Sequence, residues 1–131
     1  MALWTAQYRY SGADRYDITA KANNIFSPPW KLVSAYKNAE ARAALLPDKV
    51  KAEELMRAAK LLYKDAYIKH LVNSINANIN SFSWLLNHID QYELTFVCYC
   101  NVKKTGFCHR ILAAEHVSCW YGIEYMRERE L

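Results

Sequence analysis

Several features are missing or scarce in this 131-residue chain. No apolar run approaches the ~18 residues that a membrane-crossing helix needs, so no membrane partner is expected. The opening Met1-Ala-Leu-Trp-Thr-Ala-Gln7 lacks the basic lead and apolar core of a signal peptide, and a cytoplasmic location is the default expectation. Four cysteines are too few for a disulfide scaffold at this length, and a reducing compartment would keep them as thiols. Repeats, low-complexity tracts and flexible linkers are all missing, which leaves one domain over residues 1–131. The net charge is only +4, so the dense basic stripe of a dedicated nucleic-acid binder is not there either.

What remains is a chain that can build a core. Hydrophobic residues make up 53% and charged residues 23%, a globular rather than disordered balance. Ten tyrosines and four tryptophans fit the core and its rim better than a row of base-stacking platforms.

Local patterns then divide the sequence. Leu3–Tyr10 is rich in aromatics and ends at Ser11-Gly12, as a first strand would. Tyr16–Thr19 reads as a second extended piece, and Ser27-Pro-Pro-Trp30 opens a helix from about Pro29 to Asn38. Pro47-Asp48 restarts the chain, after which Leu55, Ala59, Leu62 and Ala66 form an apolar stripe at helical spacing. The Asn- and Ser-rich stretch predicts a bend near residues 71–75, with a further helix to about His88. Leu94–Tyr99 is a near-continuous apolar run of strand length, suited to a central strand covered on both faces. A helix follows over about 107–118, and Ile123–Met126 is a last strand. The pattern predicts an α/β fold: a small three-layer domain with a short, mainly parallel sheet flanked by helices.

The chemistry concentrates between Cys98 and Arg110. Cys98 and Cys100 share a face of their strand, with Cys98 the deeper of the two and readable as a small core hydrophobe. Cys100 stands at the strand end. If Thr105 or Gly106 caps the next helix, Cys108 falls in its first turn, where unpaired amides, Arg110, Lys103 and Lys104 all favour a thiolate. Cys108 is then either a nucleophile or a buried cysteine of ordinary reactivity. His109 could move a proton, but neighbouring side chains on a helix diverge by about 100°, which argues against a direct Cys108–His109 pair. Ligands outside the carboxyl ends of parallel strands would meet this edge. Zinc is disfavoured because Cys-x-Cys in a regular strand is not a zinc knuckle, so no metal or other cofactor is expected. A reversible Cys100–Cys108 disulfide needs only that the loop fold back over the strand end.

Taken together, Leu3–Thr19, Pro29-Trp30, Leu94–Cys100 and Phe107-Cys-His-Arg110 resemble the uncharacterised two-cysteine family of unknown function numbered four hundred and eighty-eight, whose members are spread over bacterial, archaeal and viral genomes. Its hallmark is a strand ending in cysteine, then Cys-His-Arg at a helix start. Cys108 matches the second cysteine, and either Cys98 or Cys100 the first. The resemblance implies an α/β fold with the paired cysteines close together; it brings no activity with it. It also gives the polar residues after the first strand a second reading. Arg9 and Arg15 could grip a phosphate or carboxylate as Arg110 would, and Asp14 could orient His109 or act as the base.

Three classes of function follow. The first is a cysteine-dependent enzyme acting on a small anionic or nucleotide-like substrate, with Cys108, Cys100, His109 and Asp14 as its reactive groups and Arg9, Arg15 and Arg110 binding the anion. The second is a nucleic-acid-associated protein, which a virus could encode and which would then act in the host cytoplasm. The third is a structural or interaction module held by a Cys100–Cys108 disulfide. A Tyr- and Leu-bearing helix face fits a homodimer interface as well as it fits a core.

Overall fold

The structure, a computed structural model, describes residues 2–99 and 108–129. Four strands, β1 (Ala2–Gln7), β2 (Arg15–Asp17), β3 (Leu94–Cys98) and β4 (Glu124–Glu128), form an all-parallel sheet in the order β2-β3-β1-β4. Four helices accompany them among the described residues: α1 (Trp30–Leu45), α2 (Lys49–Ala77), α3 (Ile79–Gln91) and α4 (His109–Tyr121). The expected α/β class with a short parallel sheet flanked by helices is therefore the observed one.

The apolar run at residues 94–98 becomes an interior strand with every residue buried. Its alternating side chains divide between the two faces. Leu94 and Phe96 join Leu3 in one core cluster with Tyr67, Leu71 and Ile75 of α2, Phe82, Leu85 and Ile89 of α3, and Leu112, Ala113 and Val117 of α4. Phe26 is buried at the centre, 4.7 Å from the Phe96 ring and 6.1 Å from Phe82 by ring centroids. On the other face, among the described residues, rings and guanidinium groups pack over the strands. Arg129 lies over Trp4, Arg15 lies over Tyr8, and Tyr8 stacks on Tyr99 at 4.0 Å.

Three helical expectations change, the first being that α1 runs on past Asn38 to Leu45. The stripe Leu55, Ala59, Leu62 and Ala66 does not face the core, for Leu62 is 72% exposed and Ala66 is also on the surface. Instead Tyr63, Tyr67, Leu71 and Ile75 are buried, one turn apart along the other stripe of α2. Leu55, Ala59 and Leu62 border a shallow groove with Leu32, Ala35 and Ala39 of α1, so the helix pair uses the aliphatic stripe between its members. The predicted bend at 71–75 is likewise displaced. Burial of Leu71 and Ile75 carries α2 unbroken to Ala77, and the break comes at Asn78. Asp48 caps α2 as its type would suggest, accepting from the Val50 and Lys51 amides.

Candidate functional site

The site forms at the carboxyl end of β3. Cys98 is the last residue of that strand, on the same face as Leu94 and Phe96, and it is fully buried. Cys108 is the N-cap of α4, with extended backbone angles of φ −163° and ψ 155°. The two sulfurs are 2.7 Å apart. A disulfide bond is about 2.05 Å long, so little movement separates the pair from a covalent link.

His109 completes the cluster. Its Nε2 lies 2.7 Å from the Ile18 carbonyl oxygen, and a carbonyl only accepts, so Nε2 carries the proton. Burial pushes the His109 pKa below its ordinary value, favouring the neutral ring. Its Nδ1 is then a bare acceptor, 3.7 Å from the Cys108 sulfur. The sequence argued against a direct Cys108–His109 ion pair; the structure places the two groups in a long hydrogen-bonding contact. The divergence of about 100° applies between two helical residues, whereas Cys108 is a cap in extended conformation. Tyr67 fixes the other side of the imidazole, its ring edge-on at 5.7 Å, while its hydroxyl donates to the Phe26 carbonyl at 2.7 Å.

The Ile18 carbonyl is aimed by a compact turn between β2 and α1. Asp17 accepts from the Thr19 amide, the Asn24 side chain donates to the Asp17 carbonyl, and the Ser27 hydroxyl donates to the Thr19 carbonyl. Asn23 takes the left-handed conformation at φ 52°, which asparagine tolerates better than most residues. The same turn presents Thr19, Ala20 and Lys21 to the site.

Arg110 is inside the protein, with no exposed surface. Its Nη2 and Nε donate to Glu128 at 2.6 and 3.1 Å, and Nη1 donates to the Cys98 sulfur at 3.0 Å. The Cys108 sulfur is 3.8 Å from the same nitrogen. Burial opposes the guanidinium charge, but Glu128 and the two sulfurs outweigh it and hold Arg110 protonated. This is not the posture of a residue gripping an anion from solvent, as the sequence suggested. Arg110 instead supplies a buried positive charge to the cysteine pair.

The remaining candidates separate. Asp14 sits before β2, its carbonyl bonded to the Thr95 amide and its carboxylate accepting from Tyr10, Thr95 and Arg129. Thr95 is three residues from Cys98 along β3, roughly 10 Å at ~3.3 Å per residue, and on the opposite face. Asp14 therefore neither orients His109 nor serves Cys108 as a base. Arg15 is committed to the Tyr8 and Tyr10 carbonyls and the Tyr8 ring. Arg9 is exposed on the turn after β1 and is not among the described residues lining the cleft at the cysteines. Cys100, Lys103, Lys104, Thr105 and Gly106 lie outside the described residues, as does the anticipated Cys100–Cys108 disulfide.

Both sulfurs and His109 border a cleft of about 310 Å³. Its walls are mainly apolar and aromatic, Pro28, Val33, Tyr36 and Tyr63 among them, and Lys21, Lys37 and Glu40 stand on it. Cys98 is fully buried, as the sequence reading of a small core residue expects, and it also borders the cleft beside Cys108. A buried cysteine in an apolar strand resembles core, and only the exposure of Tyr99 marks Cys98 as the end of the buried run. Glu128 and the α1 wall carried no local signal.

Cys98, Cys108 and His109 also present three ligand atoms within 4.8 Å of one another, a donor set that a soft cation could use. The Arg110 guanidinium on the Cys98 sulfur competes with such an ion for that atom. No helix among the described residues is long and apolar enough to cross a membrane. Comparison with family models, curated proteins and solved structures found no match to this chain.

Proposed function

We propose that this protein is a cysteine-dependent enzyme acting on a small anionic, ring-bearing substrate held in the cleft, with Cys108 as its nucleophile. The reading is carried by one observation: the Cys108 sulfur stands at a helix N-terminus, faces the bare Nδ1 of a buried neutral His109, and borders the cleft. The His109 Nδ1 takes the thiol proton, and the imidazolium so formed is steadied by its Nε2 bond to the Ile18 carbonyl. Helix N-terminal amides and the Arg110 charge favour the thiolate. Lys21 and Lys37 outnumber the one carboxylate of the described lining, Glu40, and Tyr36 and Tyr63 supply flat apolar walls, which suits an anion carrying a ring, nucleotide-like compounds included. The likeness to the two-cysteine family of unknown function belongs to the same reading, with Cys98 and Cys108 as the hallmark pair.

The test is alkylation of Cys108 by iodoacetamide, followed by peptide mass mapping across pH, with and without adenosine monophosphate. Modification is expected with a midpoint well below the ordinary thiol value of about 8.5, slowed by the nucleotide. A Cys108 that titrates normally and is not protected would overturn the assignment.

A further inference from the structure

The second sulfur asks for an explanation that a single nucleophile does not give. Cys98 is buried, borders the same cleft, and lies 2.7 Å from Cys108 with a guanidinium nitrogen 3.0 Å from its own sulfur. A lone thiolate mechanism needs one activated sulfur. Here a fixed positive charge is spent on the sulfur that is not at the helix N-terminus, and the two sulfurs share one hydrogen-bonding contact. The guanidinium, paired through Nε and Nη2 with Glu128, has Nη1 left to donate to the Cys98 sulfur, and such a donor favours a thiolate shared over the two sulfurs.

Resting on the reading of Cys108 as the nucleophile, we propose that Cys98 is the resolving thiol and that the substrate class is a small anionic aromatic disulfide, reduced by thiol–disulfide exchange. The Cys108 thiolate attacks one sulfur of the substrate RSSR, forming a Cys108–SR bond and expelling RS⁻. The Cys98 sulfur then attacks the Cys108 sulfur, breaking that bond, expelling the second RS⁻ and leaving a Cys98–Cys108 disulfide. Two electrons pass from the cysteine pair to the substrate. The two thiol protons, the first taken by His109 Nδ1, end on the two RS⁻ products or on water. A small dithiol such as dithiothreitol restores the pair by the reverse exchanges.

Geometry favours this chemistry over acyl or phosphoryl transfer. An adjacent thiolate changes the outcome only when the bond left on Cys108 is itself open to attack at sulfur. The mixed disulfide is such a bond, and its resolution here needs the sulfurs to close by less than an ångström. Arg110 steadies Cys98 for the second attack, and Glu128 keeps Arg110 in place. Among the described lining residues, two lysines against one glutamate, Glu40, and the ring-lined walls favour an anionic aromatic disulfide over a neutral aliphatic one.

The probe is 5,5′-dithiobis(2-nitrobenzoate), a dianionic aromatic disulfide, applied to the full chain carrying Cys100→Ser and Cys119→Ser. Two equivalents of thionitrobenzoate should appear, and the product should weigh two hydrogens less than the dithiol, with no adduct. Adding Cys98→Ser should halve the yield and trap one thionitrobenzoate on Cys108. Adding Cys108→Ser instead should slow the reaction at least tenfold. Two stable adducts on the parent, or release of two equivalents from the Cys98→Ser variant, would overturn the proposal. If Cys108 alkylates readily at low pH yet no internal disulfide forms, the resolving role fails while the nucleophile stands. If the Cys98→Ser variant does not fold, Cys98→Ala with the same mass readout replaces it.

Discussion

Arg110 and Glu128 form a two-pronged pair across the sheet edge, at 2.6 and 3.1 Å, with the arginine fully buried and the carboxylate one-third exposed. The pair ties the first turn of α4 to the end of β4, and its geometry sets where Nη1 meets the Cys98 sulfur. Removing one partner of a buried pair leaves an uncompensated charge, a loss of several kcal/mol when both are dry. Because Glu128 is part-wet, Glu128→Gln should destabilise by about 2 kcal/mol, read as a lower urea midpoint at unchanged slope. An unchanged midpoint would mean the pair contributes nothing.

His109 makes stability depend on pH. Burial lowers its pKa from the ordinary 6.5, so just below that pH the unfolded chain binds a proton that the folded chain does not. Its contribution is therefore complete above about 6.5 and is lost as the pH falls. His116 is shifted in the same direction by burial, so the comparison must be made against the wild type. His109→Gln should flatten the loss of stability between pH 7 and 5 in denaturant titrations. The same variant should slow Cys108 alkylation at pH 7 by about tenfold, the effect of one unit in thiol ionisation.

Asp14 offers a separation of structure from chemistry. Burial alone would raise its pKa, but hydrogen bonds from Thr95 and Tyr10 and the charge of Arg129 reverse this and hold it below the ordinary 3.8. That contribution is present above about pH 4 and lost on further acidification. Asp14→Asn should cost about 1 kcal/mol at pH 7 and leave the pH profile of Cys108 alkylation where it was. A shifted alkylation profile would restore Asp14 to the site.

Tyr67 tests the support of the imidazole. Tyr67→Phe keeps the ring against His109 and removes the donor to the Phe26 carbonyl, orphaning a buried acceptor at a cost of about 1–3 kcal/mol. Thermal unfolding should report the loss. Equal stability would indicate that another donor reaches that carbonyl.

How much of this was legible beforehand depends on the range of the interaction. The run Leu94–Cys98, the Pro29-Trp30 helix start and the Asp48 cap act within a few residues, and each appears where local pattern predicts it. The burial of α2 does not follow its most aliphatic stripe, because α1 occupies that side and the sheet meets the tyrosine stripe instead. Asp14 looked like a site residue because the turn after β1 is near the ligand edge in sequence order. The parallel register of β2 against Thr95 carries it to the opposite end and face.

By itself the sequence determined the α/β class and the four strand segments, and it singled out residues 98–110 as the candidate site, since periodicity, chain punctuation and residue type are local properties. Only the tertiary structure brings the Cys98 sulfur to Cys108, turns the His109 Nδ1 toward Cys108 and places the buried Arg110 guanidinium within reach of both sulfurs. Those outcomes depend on Cys98 ending its strand level with the cap of α4, on a carbonyl at Ile18 and on a carboxylate at Glu128. Ile18 and Glu128 lie 91 and 18 residues from their partners, and only chain folding brings such groups within hydrogen-bond reach.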